Sequence, residues 1–139
     1  MSKYEIKKTM VIHARDLVVI ACEGLQRDSL PVGMFEALFG CSPTLLAYVW
    51  KKLCRKKLLG ANSLPIHLLW TMAFLKQYGT EAAMAAMFHT SRETYRQRIW
   101  DMLEAIWNLD EVSDNDRLHG TTFFSLNIML SFFLLHRSS

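Results

Sequence analysis

The apolar residues of this chain recur mainly at intervals of three and four, the spacing that places side chains on one face of an α-helix. This pattern predicts six helices, over residues 9–26, 32–39, 43–57, 64–78, 81–88 and 91–109. The fourth helix carries only one charged residue, Lys76, so we expect it to be the most buried element. The chain is therefore predicted to be all-α, a small multi-helix bundle that contains a helix-turn-helix.

Residues typical of helix ends separate these elements. Gly40 suits the position just past a helix end, because glycine tolerates a positive φ. Ser42 and Pro43 combine a good N-cap with a residue that loses no needed hydrogen bond in the first turn. Ser63 and Thr80 are expected to cap the fourth and fifth helices in the same way.

Residues 80–106 have the features of a helix-turn-helix. Small residues would let the second helix cross the first closely, at Ala82, Ala83, Ala85 and Ala86. His89 lies in the turn, where glycine is common, and histidine enters the left-handed region more readily than most residues. Thr90 and Glu93 fit a capping box for the second helix, and Ser91 is the alternative cap.

The second helix of this unit carries side chains suited to reading DNA. The residues predicted to contact bases lie in its first two turns and are Arg92, Glu93, Arg96 and Gln97. Arginine can bind guanine with two hydrogen bonds, and glutamine can bind adenine in the same way. The residues predicted to contact phosphates beside them are Thr90, Ser91 and Arg98. The alternative is a solvated helix face, on which Glu93 pairs with Arg96 or Gln97.

A second basic cluster ends the third predicted helix. It has five bases within seven residues, namely Lys51, Lys52, Arg55, Lys56 and Lys57. We interpret this cluster as a phosphate-contacting patch. Two alternatives stay open: a solvated helix end, where cations complement the helix dipole, and a nuclear-localisation signal.

A faint internal repeat relates the two regions at an offset of 49 residues. The identical pairs at this offset are Ala37/Ala86, Phe39/Phe88 and Ser42/Ser91. Each region is predicted to be a short helix, a tight turn and a longer helix. The repeat therefore indicates two related helix-turn-helix units.

Length and charge are compatible with one DNA-binding domain. The chain has 139 residues, of which 51% are hydrophobic, so a folded chain is expected. We divide it into an N-terminal helix (1–30), a helical DNA-binding domain (31–119) and an apolar tail (120–139). Residues 1–100 hold fourteen Lys and Arg against seven Asp and Glu, although the net charge is only +3. This local basic excess favours a polyanionic partner.

Other chemistry is not indicated by the sequence. The three cysteines have no metal-site spacing, and we interpret them as reduced, mostly buried thiols of an intracellular protein. The five histidines lack zinc-ligand spacing, and His67 is expected to be a satisfied core residue. We therefore expect no metal, no cofactor and no small-molecule substrate. The charged N-terminus does not read as a secretory signal.

Two stretches carry a family resemblance: FEALFGCSPTLLAYVWKKL (35–53) and HLLWTMAFLKQYGTEAAMAAMFHTSRETYRQRIWDMLEAIWNLDEV (67–112). The second resembles the helix-turn-helix that precedes the catalytic domain of Harbinger-type DDE transposases. The first resembles the upstream FG-x-S-P and Trp element of eukaryotic members. Family members bind transposon ends through this region and cut DNA with an Asp-Asp-Glu triad on a later RNase H-like domain.

The resemblance implies DNA-binding architecture without nuclease activity. The chain contains no acid after Gly120, and two-metal chemistry needs carboxylates to hold its cations. We therefore expect a truncated transposase-like protein that is not an enzyme.

Residues 121–135 of the apolar tail are too few to span a bilayer, which takes about 20 residues. We expect a helix packed on the domain or a tail left by truncation, with a membrane anchor as the less favoured alternative.

The sequence thus predicts a protein that binds double-stranded DNA and is nuclear if eukaryotic, otherwise cytoplasmic. Homo-oligomer formation stays open. The alternatives are a helical protein-interaction module that uses its Met-rich and Trp-rich faces, and a nonfunctional transposon remnant.

Overall fold

The computed structural model describes residues 12–77 and 79–112, except for the side chains of residues 110–112. All the regular secondary structure in this part of the chain is helical, and it contains no strands. Its helices are α1 (Ala14–Leu25), α2 (Met34–Phe39), α3 (Pro43–Arg55), α4 (Pro65–Gln77), α5 (Glu81–Met87) and α6 (Arg92–Val112). The predicted all-α class is confirmed.

Helix α4 lies at the centre of the bundle. It contacts α1, α2, α5 and α6. From Pro65 to Leu75 every side chain is buried except that of Ile66, which is half-buried. A helix that is apolar on all sides can be accommodated only where neighbours surround it. The prediction that this is the most buried element is confirmed.

Helices α1 and α3 pack on each other, and α1 also packs on α4. Leu17 and Ala21 of α1 are fully buried, as are Leu46 and Leu53 of α3. A β-carbon added at Gly24 of α1 would lie 2.8 Å from the Cδ1 atom of Ile66. The absence of a side chain at this position therefore permits the close approach of α1 to the start of α4.

Three helices end in the same hydrogen-bonded motif. The residues at the left-handed position are Gln26 (φ 56°), Lys57 (φ 56°) and His89 (φ 57°). In each case the next residue donates its N–H to a carbonyl five residues earlier, as Thr90 does to Ala85 at 3.0 Å. These bonds satisfy carbonyl groups that a helix end leaves without partners. Gly40 ends α2 with a φ of 77°, as predicted.

The observed starts of α3 and α5 agree with the predictions, whereas those of α1 and α4 differ from them. Ser42 and Thr80 cap α3 and α5 as predicted, through their side-chain oxygens. The expected cap Ser63 is wrong, because α4 begins at Pro65 and the N–H of Leu64 donates to Nδ1 of His67 at 3.0 Å. The ring takes the role that a glutamate at the third helical position has in a capping box, since it accepts the N–H of the residue that precedes the helix. The helix predicted over residues 9–26 begins at residue 14, and residues 9–11 lie outside the described residues.

Candidate nucleic-acid interface

Helices α5 and α6 contact each other and are joined by a short turn, as expected of a helix-turn-helix. His89 adopts the predicted left-handed conformation in this turn. Ser91 caps α6, since its Oγ accepts the N–H of Thr94 at 3.1 Å. The preferred capping box of Thr90 with Glu93 is therefore wrong, because the backbone N–H of Thr90 is used to close α5.

Packing between the two helices relies less on alanine than the sequence indicated. Only Ala85 is buried, whereas the side chains of Ala82, Ala83 and Ala86 are exposed. Met84 and Phe88 supply the rest of the buried surface of α5. A seven-residue helix has room for one buried face of about two turns. The remaining alanines lie outside it.

An aromatic cluster fixes α6 against α4 and α5. Tyr95, in the first turns of α6, is fully buried, and its ring centroid lies 5.5 Å from that of Trp70 and 6.3 Å from that of Phe88. Its hydroxyl donates to the backbone carbonyl of Trp70 at 2.9 Å. Burial, and secondarily the charge of Glu81, raises the pKa of Tyr95, so the phenol stays protonated as a donor. This anchor determines which face of the first two turns of α6 points outward.

The four predicted base-contacting residues lie together on the exposed side of α6. The side chains of Arg92, Glu93, Arg96 and Gln97 are all exposed. Arg92 has no hydrogen bond or ion pair among the described residues. Its guanidinium is therefore available to a partner.

Two of the four side chains already have partners inside the protein. The Nε atom of Arg96 lies 3.5 Å from Oε2 of Glu81, at the start of α5. The amide of Gln97 donates to Oδ1 of Asp101 at 3.1 Å. The pairs that the solvated-face alternative placed within α6, of Glu93 with Arg96 or with Gln97, are replaced by these two. Any partner that binds Arg96 or Gln97 must compete with Glu81 or Asp101.

The residues predicted to contact phosphates beside α6 differ in availability. The Oγ of Ser91 both caps the helix and donates to Oγ1 of Thr94 at 2.9 Å. Thr90 and Arg98 are half-buried. The positive charge of Arg98 contributes to the lowered pKa of His67.

The basic cluster of α3 lies on a different helix from Arg92 and Arg96. Lys51, Arg55, Lys56 and Lys57 are exposed, and Lys52 is half-buried. The ammonium of Lys52 lies 5.7 Å from the ring centroid of Tyr48, within the range of a cation–π contact. Helix α3 ends at Arg55, and Lys57 takes the left-handed position that closes it. The cluster therefore both closes the end of α3 and presents exposed positive charge, as the sequence indicated.

A groove follows the outer side of α6, on the Trp-rich face named above as a candidate for protein interaction. Its volume is about 630 Å³. It is lined by Glu93, Arg96, Gln97, Trp100, Asp101, Leu103, Glu104 and Trp107. We call it the outer groove. The signal for it was the i, i+7 spacing of the two tryptophans together with acids on the same helix face. The exposed face of α6 is thus basic at its start and acidic and aromatic further along.

His67 is the buried core residue that the sequence predicted. Its Nδ1 accepts from Leu64, and its ring centroid lies 4.8 Å from that of Trp70. Burial, and next the charge of Arg98, lowers its pKa to about 4, against an opposing effect of Asp101. The imidazole is therefore neutral at pH 7.

The described residues contain no group of three or more His, Cys, Asp or Glu side chains placed to hold a metal ion. The three cysteines are free: Cys41 is buried, and Cys22 and Cys54 are half-buried. Burial raises the pKa of Cys41 and Cys54, which reduces their reactivity as thiolates. No helix within the described ranges has the length and apolar character needed to cross a membrane. Residues 121–135 lie outside those ranges.

No family model, no curated protein and no solved structure matches this chain. The resemblance to Harbinger-type transposases therefore stays a prediction.

Proposed function

We propose that this protein binds double-stranded DNA through the start of α6, as a transposase-like DNA-binding unit without nuclease activity. The observation that supports this most directly is the common exposure of Arg92, Arg96 and Gln97 on a helix braced by α5. The N-terminal residues of the second helix are the ones that contact base edges in helix-turn-helix complexes. The basic cluster of α3 supplies additional charge for phosphates.

The ion pair between Arg96 and Glu81 sets a specific requirement for this function. The Arg96 side chain is 62% exposed and that of Glu81 24% exposed, so the pair contributes little to stability. A guanine contact requires Arg96 to leave Glu81. The Glu81→Gln variant removes this competition and a negative charge beside the DNA, and is expected to bind DNA several-fold more tightly. The control is Glu36→Gln, which removes an exposed acid from α2.

The test begins with selection of a preferred duplex from random sequences, followed by binding titrations at several salt concentrations. Arg96→Ala is expected to reduce discrimination between preferred and altered duplexes by ~1–3 kcal/mol. The double variant Lys51→Ala/Lys52→Ala is expected to weaken binding to every sequence and to flatten the salt dependence by about 0.9 per lost contact. Absence of binding, or tight binding indifferent to salt, would contradict the proposal.

A second candidate is a helical protein-interaction module, which the two tryptophans of the outer groove favour. Aromatic side chains are enriched where protein surfaces meet. Gel filtration with and without the selected duplex separates the candidates. A stable oligomer that is indifferent to DNA favours the interaction module, and a DNA-dependent shift favours the nucleic-acid function.

A further inference from the structure

The second half of α6, residues 99–112, carries only negative charge, and we call it the acidic half of α6. Its charged residues are Asp101, Glu104, Asp110 and Glu111, with no base among them. The side chains of Asp101 and Glu104 are exposed. Cations are favoured in the last turn of a helix, because its free carbonyl groups make that end partly negative, and α6 has no base there. The acidic half of α6 therefore lacks compensating positive charge within its own helix.

The basic cluster of α3 has the opposite character. Lys52 and Arg55, in the last turn, already complement the dipole of this helix. Lys51, Lys56 and Lys57 add further charge, and all three are exposed. Neither these three nor Arg55 forms an ion pair with another described residue. The cluster therefore carries more positive charge than the end of α3 requires, and this charge is accessible to an outside partner.

The two charged faces match in spacing. Lys51 and Arg55 are four positions apart on α3, and Asp101 and Glu104 are three positions apart on α6. Residues at either spacing lie about 5–6 Å apart on one side of a helix. Two helices lying side by side can therefore form both ion pairs at once. Asp101 already accepts from the amide of Gln97, but that group is neutral, so the carboxylate keeps its charge for a second partner.

We propose that the basic cluster of α3 in one molecule binds the acidic half of α6 in a second copy of this chain. Because the two faces differ, the contact is head-to-tail, and each pair of molecules leaves one face of each kind open to further copies. Exposed ion pairs contribute little affinity individually, and complementary charge mainly speeds and directs association. The association is therefore weak and strongly dependent on salt. It does not rest on the proposed function, since no DNA takes part.

Sedimentation of the full chain without DNA tests this contact. The average mass should rise with protein concentration in about 0.05 M salt and be that of a monomer in about 1 M salt, where the screening length falls to about 3 Å. Two variants each reverse one face: Lys51→Glu/Arg55→Glu and Asp101→Lys/Glu104→Lys. Each alone should stay monomeric in low salt. Their equimolar mixture should form dimers and nothing larger, because only one complementary pair of faces remains.

The matched control is Arg15→Glu/Arg27→Glu, which makes the same change in net charge as Lys51→Glu/Arg55→Glu at two exposed bases of other segments. It is expected to associate like the unmodified chain, and circular dichroism checks that every variant keeps its helical content. An unmodified chain that is monomeric in low salt, or a mixture that stays monomeric, would overturn the contact. Association that survives high salt or both charge reversals would overturn it in favour of an apolar interface.

Discussion

The two helix–turn–helix segments of this protein, α2–α3 and α5–α6, share their turn and cap features but pack differently: α5 and α6 contact each other, whereas α2 packs chiefly on α4. Gly40 and His89, 49 residues apart, both adopt the left-handed conformation that ends the first helix. Ser42 and Ser91 then cap the second helix, each through its Oγ and the N–H three residues later. The repeat that the sequence suggested with three identities thus extends to the left-handed residue and the serine cap. The closing bonds differ, because the N–H of Gly40 donates to Glu36 in α2, whereas that of Thr90 donates to Ala85 in α5.

The inward positions of the two units also correspond. Phe39 and Phe88 are both buried, and their rings stack on each other with centroids 6.4 Å apart and planes 27° apart. Other buried pairs at the same offset are Leu46/Tyr95, Trp50/Ile99 and Leu53/Met102. Volume and polarity are constrained at these positions because protein interiors are close-packed.

The outward positions have diverged in charge. In α3 the bases lie near the helix end, whereas the equivalents of Lys51, Lys52 and Arg55 in α6 are Trp100, Asp101 and Glu104. The comparison shows that two segments with corresponding buried positions can carry two different surfaces. Only the inward face and the turn set the fold, so the solvent-facing side chains are free to take on binding roles.

The largest expected effect tests the equivalence of the two stacked rings. Phe39→Ala and Phe88→Ala should each lower the free energy of unfolding by about 3–5 kcal/mol, because each leaves a cavity at the same contact. Denaturant titration measures both, with Val32→Ala as the control, since that side chain is fully exposed and its loss should change stability by less than about 0.5 kcal/mol. A large cost at only one of the two phenylalanines would break the equivalence.

The next effect concerns α4, the helix on which both units pack. The pKa of His67 is about 4 in the folded protein against 6.5 for the ordinary side chain, so below pH 6.5 the unfolded chain binds a proton that the folded one excludes. Stability contributed by this group should be complete above pH 6.5 and fall by about 3 kcal/mol by pH 4. Denaturant titrations across this range measure the loss. His67→Gln, which cannot titrate, should lack this component, and an unchanged pH profile would contradict it.

The two capping serines should have similar energetic weight. Ser42→Ala and Ser91→Ala each remove one oxygen that accepts a first-turn N–H, and each should cost about 1 kcal/mol. Thermal unfolding of both variants is the measurement, with Ser42→Thr and Ser91→Thr as conservative controls that retain the oxygen. A neutral Ser91→Ala would show that Thr90 can take over as the cap.

The smallest expected effect on stability concerns the left-handed residue in each turn, which is Gly40 in one and His89 in the other. Gly40→Ala should cost about 1 kcal/mol, because a side chain there meets only Lys76 at ordinary contact distance and the loss comes from the positive φ. His89→Gly should stabilise by about 0.5 kcal/mol for the same reason. Both values come from denaturant titration. A destabilised His89→Gly variant would reveal an interaction of the imidazole that offsets its backbone strain.

Most of the fold could be predicted from local signals. The periodicity of apolar residues gave the order and approximate bounds of α1 to α6, and Gly40, Ser42 and Thr80 marked their ends correctly. The errors occurred where a distant or unexpected atom takes a local role. Before α4, the N–H of Leu64 donates to the ring of His67, three residues later. Helix propensities of single residues do not predict such a contact.

For the candidate interface, the sequence by itself determined which residues face outward, because helical periodicity assigns one side of α6 to the core and leaves Arg92, Arg96 and Gln97 on the other. Only the tertiary structure decided their partners. Glu81 lies fifteen residues before Arg96, and the turn between α5 and α6 brings the two side chains together. The same packing left one alanine buried where four were expected, because the position of α5 against its neighbours selects a single face. Periodicity fixes directions around one helix, whereas contacts between helices depend on how the whole chain packs.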